Sequence, residues 1–194
     1  MALGVGGCTT SATTSVIDST HTTVETITPS TDPAGPLDAR PIVASDAPSC
    51  PLLSAANAAE DGGMRLARIQ VLRRGSAVVG CRFYAIQGSS LATSEHLPGP
   101  NQPVIEITSA KYATHVAASN ALVRIARKGT EPNQYPIAGS VVGVAYRATF
   151  DPGDGARDWS VGFAKNTTLV VVRTASDVTS LNALTLARAV FARF

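Results

Sequence analysis

MRLARIQVLRRGSAVVGCRFYAI, residues 64–86, alternates apolar and polar side chains on either side of Arg73-Arg74-Gly75. Period-two alternation flanking a glycine turn predicts a β-hairpin, with strands over Met64–Leu72 and Ser76–Ile86. Parity then sets the loop. A two-residue Gly75-Ser76 loop would put Ile69 and Val71 on the face of Arg82. A three-residue loop with Gly75 left-handed puts Ala67, Ile69 and Val71 with Val79, Cys81 and Phe83. The second choice gives one apolar face, so it is the expected one. Arg68, Gln70 and Arg82 then share the other face.

Downstream, turn chemistry at Pro98-Gly99-Pro100 marks Gln87–Gln102 as a loop. Val104–Tyr112 alternates as a third strand, with Ile105 and Ile107 against Glu106 and Thr108. Thr114 is placed to cap a helix whose stripe is Ala118, Ala121, Leu122 and Ile125, with Gly129 as its stop. A loop holding Pro132 and Pro136 leads to a strand over Val141–Phe150. A hairpin of Trp159–Ala164 and Leu169–Thr174 turns about Lys165-Asn166. A last helix starts near Ser176 or Asp177, with Leu184, Ala187, Phe191 and Phe194 as its stripe. Upstream, Pro51 suits the first position of a short helix lined by Leu52, Leu53, Ala56 and Ala59, which Glu60-Asp61-Gly62-Gly63 ends.

The order is α-βββ-α-βββ-α. Runs of strands separated by helices predict an α+β domain over residues 50–194, an antiparallel sheet of about six strands with helices packed on one face. Residues 9–49 differ in kind. They are rich in Ser, Thr and Pro and carry a net −4 over residues 9–48, leaving +6 for the rest of a chain whose total is +2. With no periodic apolar pattern they cannot offset the entropy of ordering, and read as a disordered acidic tether with a mean reach of about 35 Å. Residues 1–8 lie before it. No apolar stretch reaches the roughly 18 residues of a membrane helix, and so slight a net charge gives no reason to expect nucleic acid.

The search for chemistry assigns no catalytic residue, metal ligand or cofactor. Gly139-Ser140-Val141-Val142-Gly143 lacks the spacing of a nucleophile elbow and runs into a strand. His96 and His115 could act as bases only if a serine and an acid met them in space. Asp151, Asp154 and Asp158 lack the alternate-residue spacing of a calcium loop. Glu106 is a lone carboxylate, where a glycosidase would want two. Trp159 reads as a core or rim aromatic, or as a platform for sugar. The arginines are more suggestive. Arg68 and Arg82 on the hairpin's outer face, with Arg73 and Arg74 at its tip, put four guanidiniums on one element that carries no acid. They form either an anion- or partner-binding patch or a solvated edge that discourages aggregation.

Val5-Gly6-Gly7-Cys8 resembles the lipobox of bacterial lipoproteins: an aliphatic residue, two small ones, then cysteine. The resemblance implies a diacylglyceryl group on Cys8, with residues 1–8 the remnant of a signal peptide whose apolar run is missing from Met1-Ala2-Leu3-Gly4. Cys50-Pro51-Leu52-Leu53, Cys81-Arg82-Phe83 on a strand and a final helix are similar to actinobacterial cell-envelope lipoproteins with a two-cysteine domain of unknown function. That resemblance implies export and a disulfide between Cys50 and Cys81. Lipidation of Cys8 would leave those two free to pair; two buried thiols in a cytosolic protein are the alternative. The expectation is an exported protein lipid-anchored on the extracytoplasmic face of the cell membrane. It would present a non-catalytic domain to an envelope polymer or protein partner. An exported hydrolase with an unrecognised site is the other reading.

Overall fold

The computed structural model describes residues 35–86, 102–149, 157–175 and 180–194. The lipobox with Cys8, residues 9–34, the loop with His96, and Asp151 and Asp154 lie outside the described residues.

The hairpin forms as β2 (Leu66–Arg74) and β3 (Ala77–Ala85), and the facing is as expected: Ile69 lies opposite Phe83 and Val71 opposite Cys81. The loop is not. It is the two-residue Gly75-Ser76 turn, with Gly75 at φ 62°. Pairing of Leu72 with Gly80 but of Arg73 with Val78 leaves Val79 as an extra residue on β3. That bulge flips the parity which the short loop would otherwise have imposed. A second irregularity leaves Ala67 unpaired and exposed, not inward.

Among the described residues eight strands make one antiparallel sheet, in the order β1-β2-β3-β4-β8-β7-β6-β5. β4 (Ile105–Lys111), β6 (Val141–Thr149), β7 (Arg157–Lys165) and β8 (Thr168–Thr174) match four expected strands. The two beyond the expected six are the edges. β1 (Val43–Asp46) lies inside the stretch read as tether, so the fold begins before Cys50. β5 (Thr130–Ala138) was expected as a loop because of Pro132 and Pro136. An edge strand tolerates proline, since one row of its N–H groups has no partner to lose. Its pairing slips between Thr130 and Asn133, where Glu131 takes φ 55°.

Among the described residues three helices accompany the sheet: α1 (Ala55–Gly62), α2 (His115–Ala126) and α3 (Ser180–Phe191). Ser54, not the residue before Pro51, caps α1 by accepting from the Asn57 N–H, so Leu52 and Leu53 enter the core ahead of the helix. Burial pushes the Asp61 carboxyl at its far end up, and Glu60 adds to the shift. Thr114 caps α2 as expected, accepting from the Ala117 N–H at 3.1 Å.

The helices do not share one face. α1 and α3 close the larger core with Ile69, Val71, Phe83, Ile105, Ile107, Val161, Phe163, Val170 and Val172. Phe191 of α3 meets the Phe163 ring edge-on at 5.4 Å. α2 covers the opposite face, where Ala118, Ala121 and Leu122 pack on Leu169, Val171 and Ala164. Leu122 can seat so closely because its Cδ1 occupies the space a side chain at Gly162 would need. β8 is therefore buried on both sides, Val170 and Val172 toward one helix layer and Leu169 and Val171 toward the other.

The disulfide is present. Cys50, just ahead of α1, joins Cys81 at the centre of β3, with Cα atoms 6.1 Å apart across a sequence separation of 31. Among the described residues no helix is long and apolar enough to cross a membrane.

Candidate anion-binding face

The face that carries α2 also carries a polar row, built by register. Asp46 on β1 lies opposite Gln70 on β2, Gln70 opposite Arg82 on β3, and Arg82 opposite Glu106 on β4. Glu106 lies opposite Arg173 on β8, which lies opposite Ser160 on β7, itself opposite Tyr146 on β6. One cross-strand line thus passes through seven strands. α2 packs on β6, β7 and β8, so among the described residues no helix lies over the β2–β3 part of this line.

Several side chains in and beside the line bond to one another. Gln70 Nε2 donates to Asp46 Oδ1 at 3.0 Å and Tyr84 Oη to Gln70 Oε1 at 2.8 Å. At the centre Glu106 uses both carboxylate oxygens. Arg82 Nε reaches Oε2 at 2.6 Å and Arg173 Nη1 reaches Oε1 at 3.4 Å. The carboxylate is 8% exposed while the arginines are 38% and 40% exposed. Burial alone would lower the Arg82 guanidinium pKa; the Glu106 carboxylate, with a smaller contribution from Tyr84, more than offsets it and holds the pKa above its ordinary value. Burial raises the Tyr146 phenol, partly countered by the positive charge of Arg173.

One buried acid thus holds two half-exposed cations side by side, and the trio keeps a net charge of +1. A guanidinium offers five N–H donors, so one engaged edge leaves others for a carboxylate or phosphate. Arg68, beside them, lies over the Tyr84 ring at 4.0 Å from its centroid.

The four expected arginines therefore separate. Arg68 and Arg82 belong to this face. Arg73 is exposed at the hairpin end, where its Nη1 donates to the Ser76 carbonyl at 3.1 Å. The hairpin itself holds no acid, but two come to it from elsewhere: Glu106 to Arg82, and Asp38 to the tip. Asp38 makes a forked pair with Arg40, 2.8 Å at its shortest, and also feels Arg74. Arg173 and the partnership of Glu106 were not anticipated. Arg82 sits between inward Cys81 and Phe83, and Glu106 between inward Ile105 and Ile107, but alternation gives a residue's face and not its cross-strand partner.

The other candidates resolve individually. Ser140 lies in the β5–β6 turn. Trp159 packs against the larger core with the Arg147 guanidinium 5.6 Å from its ring centroid. Asp158 is buried. His115 Nδ1 lies 2.7 Å from the Asn166 carbonyl, and its Nε2 lies 3.4 Å from Ser119 Oγ one turn along α2. Among the described residues no three His, Cys, Asp or Glu side chains group as a metal site.

No family model matches the chain, and no curated protein does. Among solved structures, the extracellular domain of PknH from Mycobacterium tuberculosis is similar at 12% identity, over 80% of this chain and 79% of that one, with a TM-score of 0.36. A likeness of that size carries no inference about function.

Proposed function

We propose that this is an exported, lipid-anchored envelope protein. Its domain binds anionic groups, the carboxylates or phosphates of an envelope polymer or partner protein, without catalysis. The observation that carries the reading is the arginine pair that Glu106 holds on a sheet face. Arg68, Arg82 and Arg173 are the contact residues. The Cys50–Cys81 disulfide supports the location, because structural disulfides persist in oxidising compartments. The lipobox-like stretch supports the anchor, whose two acyl chains would hold firmly where one holds marginally.

Binding to isolated wall material and to anionic vesicles tests the proposal. Measured from 0.1 M to 1 M salt, the screening length falls from about 10 Å to about 3 Å, and contacts to exposed charge should weaken with it. Arg68→Gln with Arg173→Gln should lose the salt-sensitive binding, whereas Arg73→Gln with Arg74→Gln should keep it. Equal binding by both variants, or none by the wild type at low salt, would sink the assignment. The anchor is tested separately by labelling with a fatty-acid analogue, which Cys8→Ser should abolish.

One observation favours the hydrolase reading. A carbonyl can only accept, so the Asn166 oxygen fixes the proton of His115 on Nδ1 and turns the Nε2 lone pair toward Ser119. That is the order of nucleophile, base and orienting group in serine hydrolases. Covalent labelling of Ser119 by a fluorophosphonate would establish it; an unlabelled protein leaves the binding reading.

A further inference from the structure

Residues 37–42 run as a strap across one end of the sheet before β1 begins. The Leu37 N–H bonds to the carbonyl of Lys111, the last residue of β4, at 2.9 Å. The Arg40 guanidinium then lies against the β2–β3 turn, where a side chain at Gly75 would come within 2.7 Å of its Nη1. Val43, the first residue of β1, lies opposite Arg73 on β2. These contacts place the strap, the hairpin tip and the last residue of β4 together at one end of the sheet.

The strap presents apolar side chains to water. Leu37 is 65% exposed, Ile42 44% and Val43 64%. Single exposed aliphatics are ordinary, but three in so short a stretch mark a contact surface. The charge around them has one sign. Asp38 is taken up by its fork with Arg40, and Asp46 turns to Gln70. Among the described residues Arg73, Arg74 and Lys111 make no ion pair. Other acids lie toward the far end of the sheet. Glu60 and Asp61 precede Gly62, which sits against Ile105 at the opposite end of β4, and Glu106 follows Ile105. Aliphatic side chains beside cations complement a bilayer, which is hydrocarbon beneath a layer of phosphates. Arg and Lys lay their stems along such apolar surface and reach the phosphates with their heads.

We infer that this end of the domain rests on a lipid bilayer, with Leu37, Ile42 and Val43 at the acyl boundary and exposed Arg73 and Lys111 at its phosphates. That a bilayer is within reach rests on the anchor proposed at Cys8, and the chain from Cys8 enters the described fold beside this strap. A tethered domain needs little affinity of its own, because a flexible tether supplies effective concentrations on the order of millimolar. The row through Arg82 crosses the strands away from this end, so both surfaces can be occupied at once.

The test supplies the membrane without the anchor, so a failed anchor leaves its result untouched. The unlipidated full chain, isotopically labelled, is mixed with phosphatidylcholine vesicles that carry a spin-labelled lipid. Relaxation enhancement should centre on Leu37, Val43 and Ser76. It should spare Ile86, an exposed aliphatic at the other end whose N–H bonds to the Arg65 carbonyl. Vesicle co-sedimentation is then measured at 1 M salt, where a screening length of about 3 Å silences the arginine face. Leu37→Ser with Ile42→Ser and Val43→Ser should cut partitioning by about tenfold or more, through the loss of three aliphatic side chains. Ile86→Ser should partition as wild type does, and so should Arg68→Gln with Arg173→Gln. All three strap positions are exposed, and unchanged β3 and β8 amide signals would confirm that the triple variant folds. The inference is overturned if enhancement spreads evenly or centres on the arginine face, if the triple variant partitions as wild type does, or if wild type does not partition. Concentration-dependent shifts at Val43 without lipid would show that a second copy covers β1, and would overturn it as well.

Discussion

The two faces of the sheet use the same strands for different ends. On one, α1 and α3 press on an apolar layer that includes Phe83, Ile105, Ile107 and Val172, with the disulfide set into it. On the other, α2 covers the β6–β8 portion, and Arg82, Glu106 and Arg173 line up beside it. Each of the three has its strand neighbours on the packed face. Arg82 follows Cys81 and precedes Phe83, Glu106 separates Ile105 from Ile107, and Arg173 separates Val172 from Thr174. All six of those neighbours are buried. The packed face thus fixes the backbone from which the charged face is displayed. Precision at a polar surface site comes here from the core behind it.

Truncating the packed face should cost most. Phe83→Ala is expected to lower unfolding free energy by about 3–5 kcal/mol in chemical denaturation, because its ring is fully buried. A loss near zero would remove the basis of the comparison. Opening the disulfide comes next. Closure of a loop with a sequence separation of 31 contributes about 3–4 kcal/mol in the chain-entropy treatment, so Cys50→Ala with Cys81→Ala should unfold at correspondingly lower denaturant. Free thiols in protein taken from an oxidising compartment would overturn the pairing there.

On the charged face the expected losses are smaller. Glu106→Gln leaves two cations without their shared acid. A fully buried break would cost more, but both arginines reach solvent, so about 1–2 kcal/mol is expected. A loss equal to that of Phe83→Ala would mean the row is core and not surface. The smallest effect belongs to Asp38 at the hairpin tip. Hydrogen bonds from the Arg40 side chain and backbone hold its pKa at about 2. The folded value lies below that of an unfolded carboxylate, so the pair contributes fully above about pH 4 and is lost as pH falls through 2. An NMR titration should place the Asp38 midpoint at about 2, and Arg40→Gln should move it toward the ordinary carboxylate range. No movement would show that Arg40 is not the cause.

What the sequence disclosed follows burial. The six inner strands announce themselves because at least one of their faces is dry. β1 is exposed at all four residues and has no alternation to show, and β5 hides behind prolines that only an edge admits. The second helix layer had a sign that was misread. Leu169-Val170-Val171-Val172 does not alternate, and an uninterrupted apolar run belongs to a strand covered on both sides. The loop argument failed because parity assumes an unbroken ladder, and Val79 breaks it. The arginine face was half legible. Arg68 and Arg82 follow from alternation, but Glu106 meets Arg173 only because β4 pairs with β8, a neighbour 67 residues distant in sequence.

The position of Cys50 also has a mechanical meaning. A pull on the N-terminal side of the domain meets the Leu37 N–H bond to the Lys111 carbonyl and then β1, a four-residue strand at the sheet's edge. Once that bond opens, the ladder from β1 to β2 should be the next to yield. Beyond Asp46 the slack runs only to Cys50, whose sulfur is bonded to β3. Tension then skips β2 and bears on a strand flanked on both sides by others. The cross-link is a covalent stop that confines rupture to the edge, and its reduction would let the tear run on through α1 into the sheet.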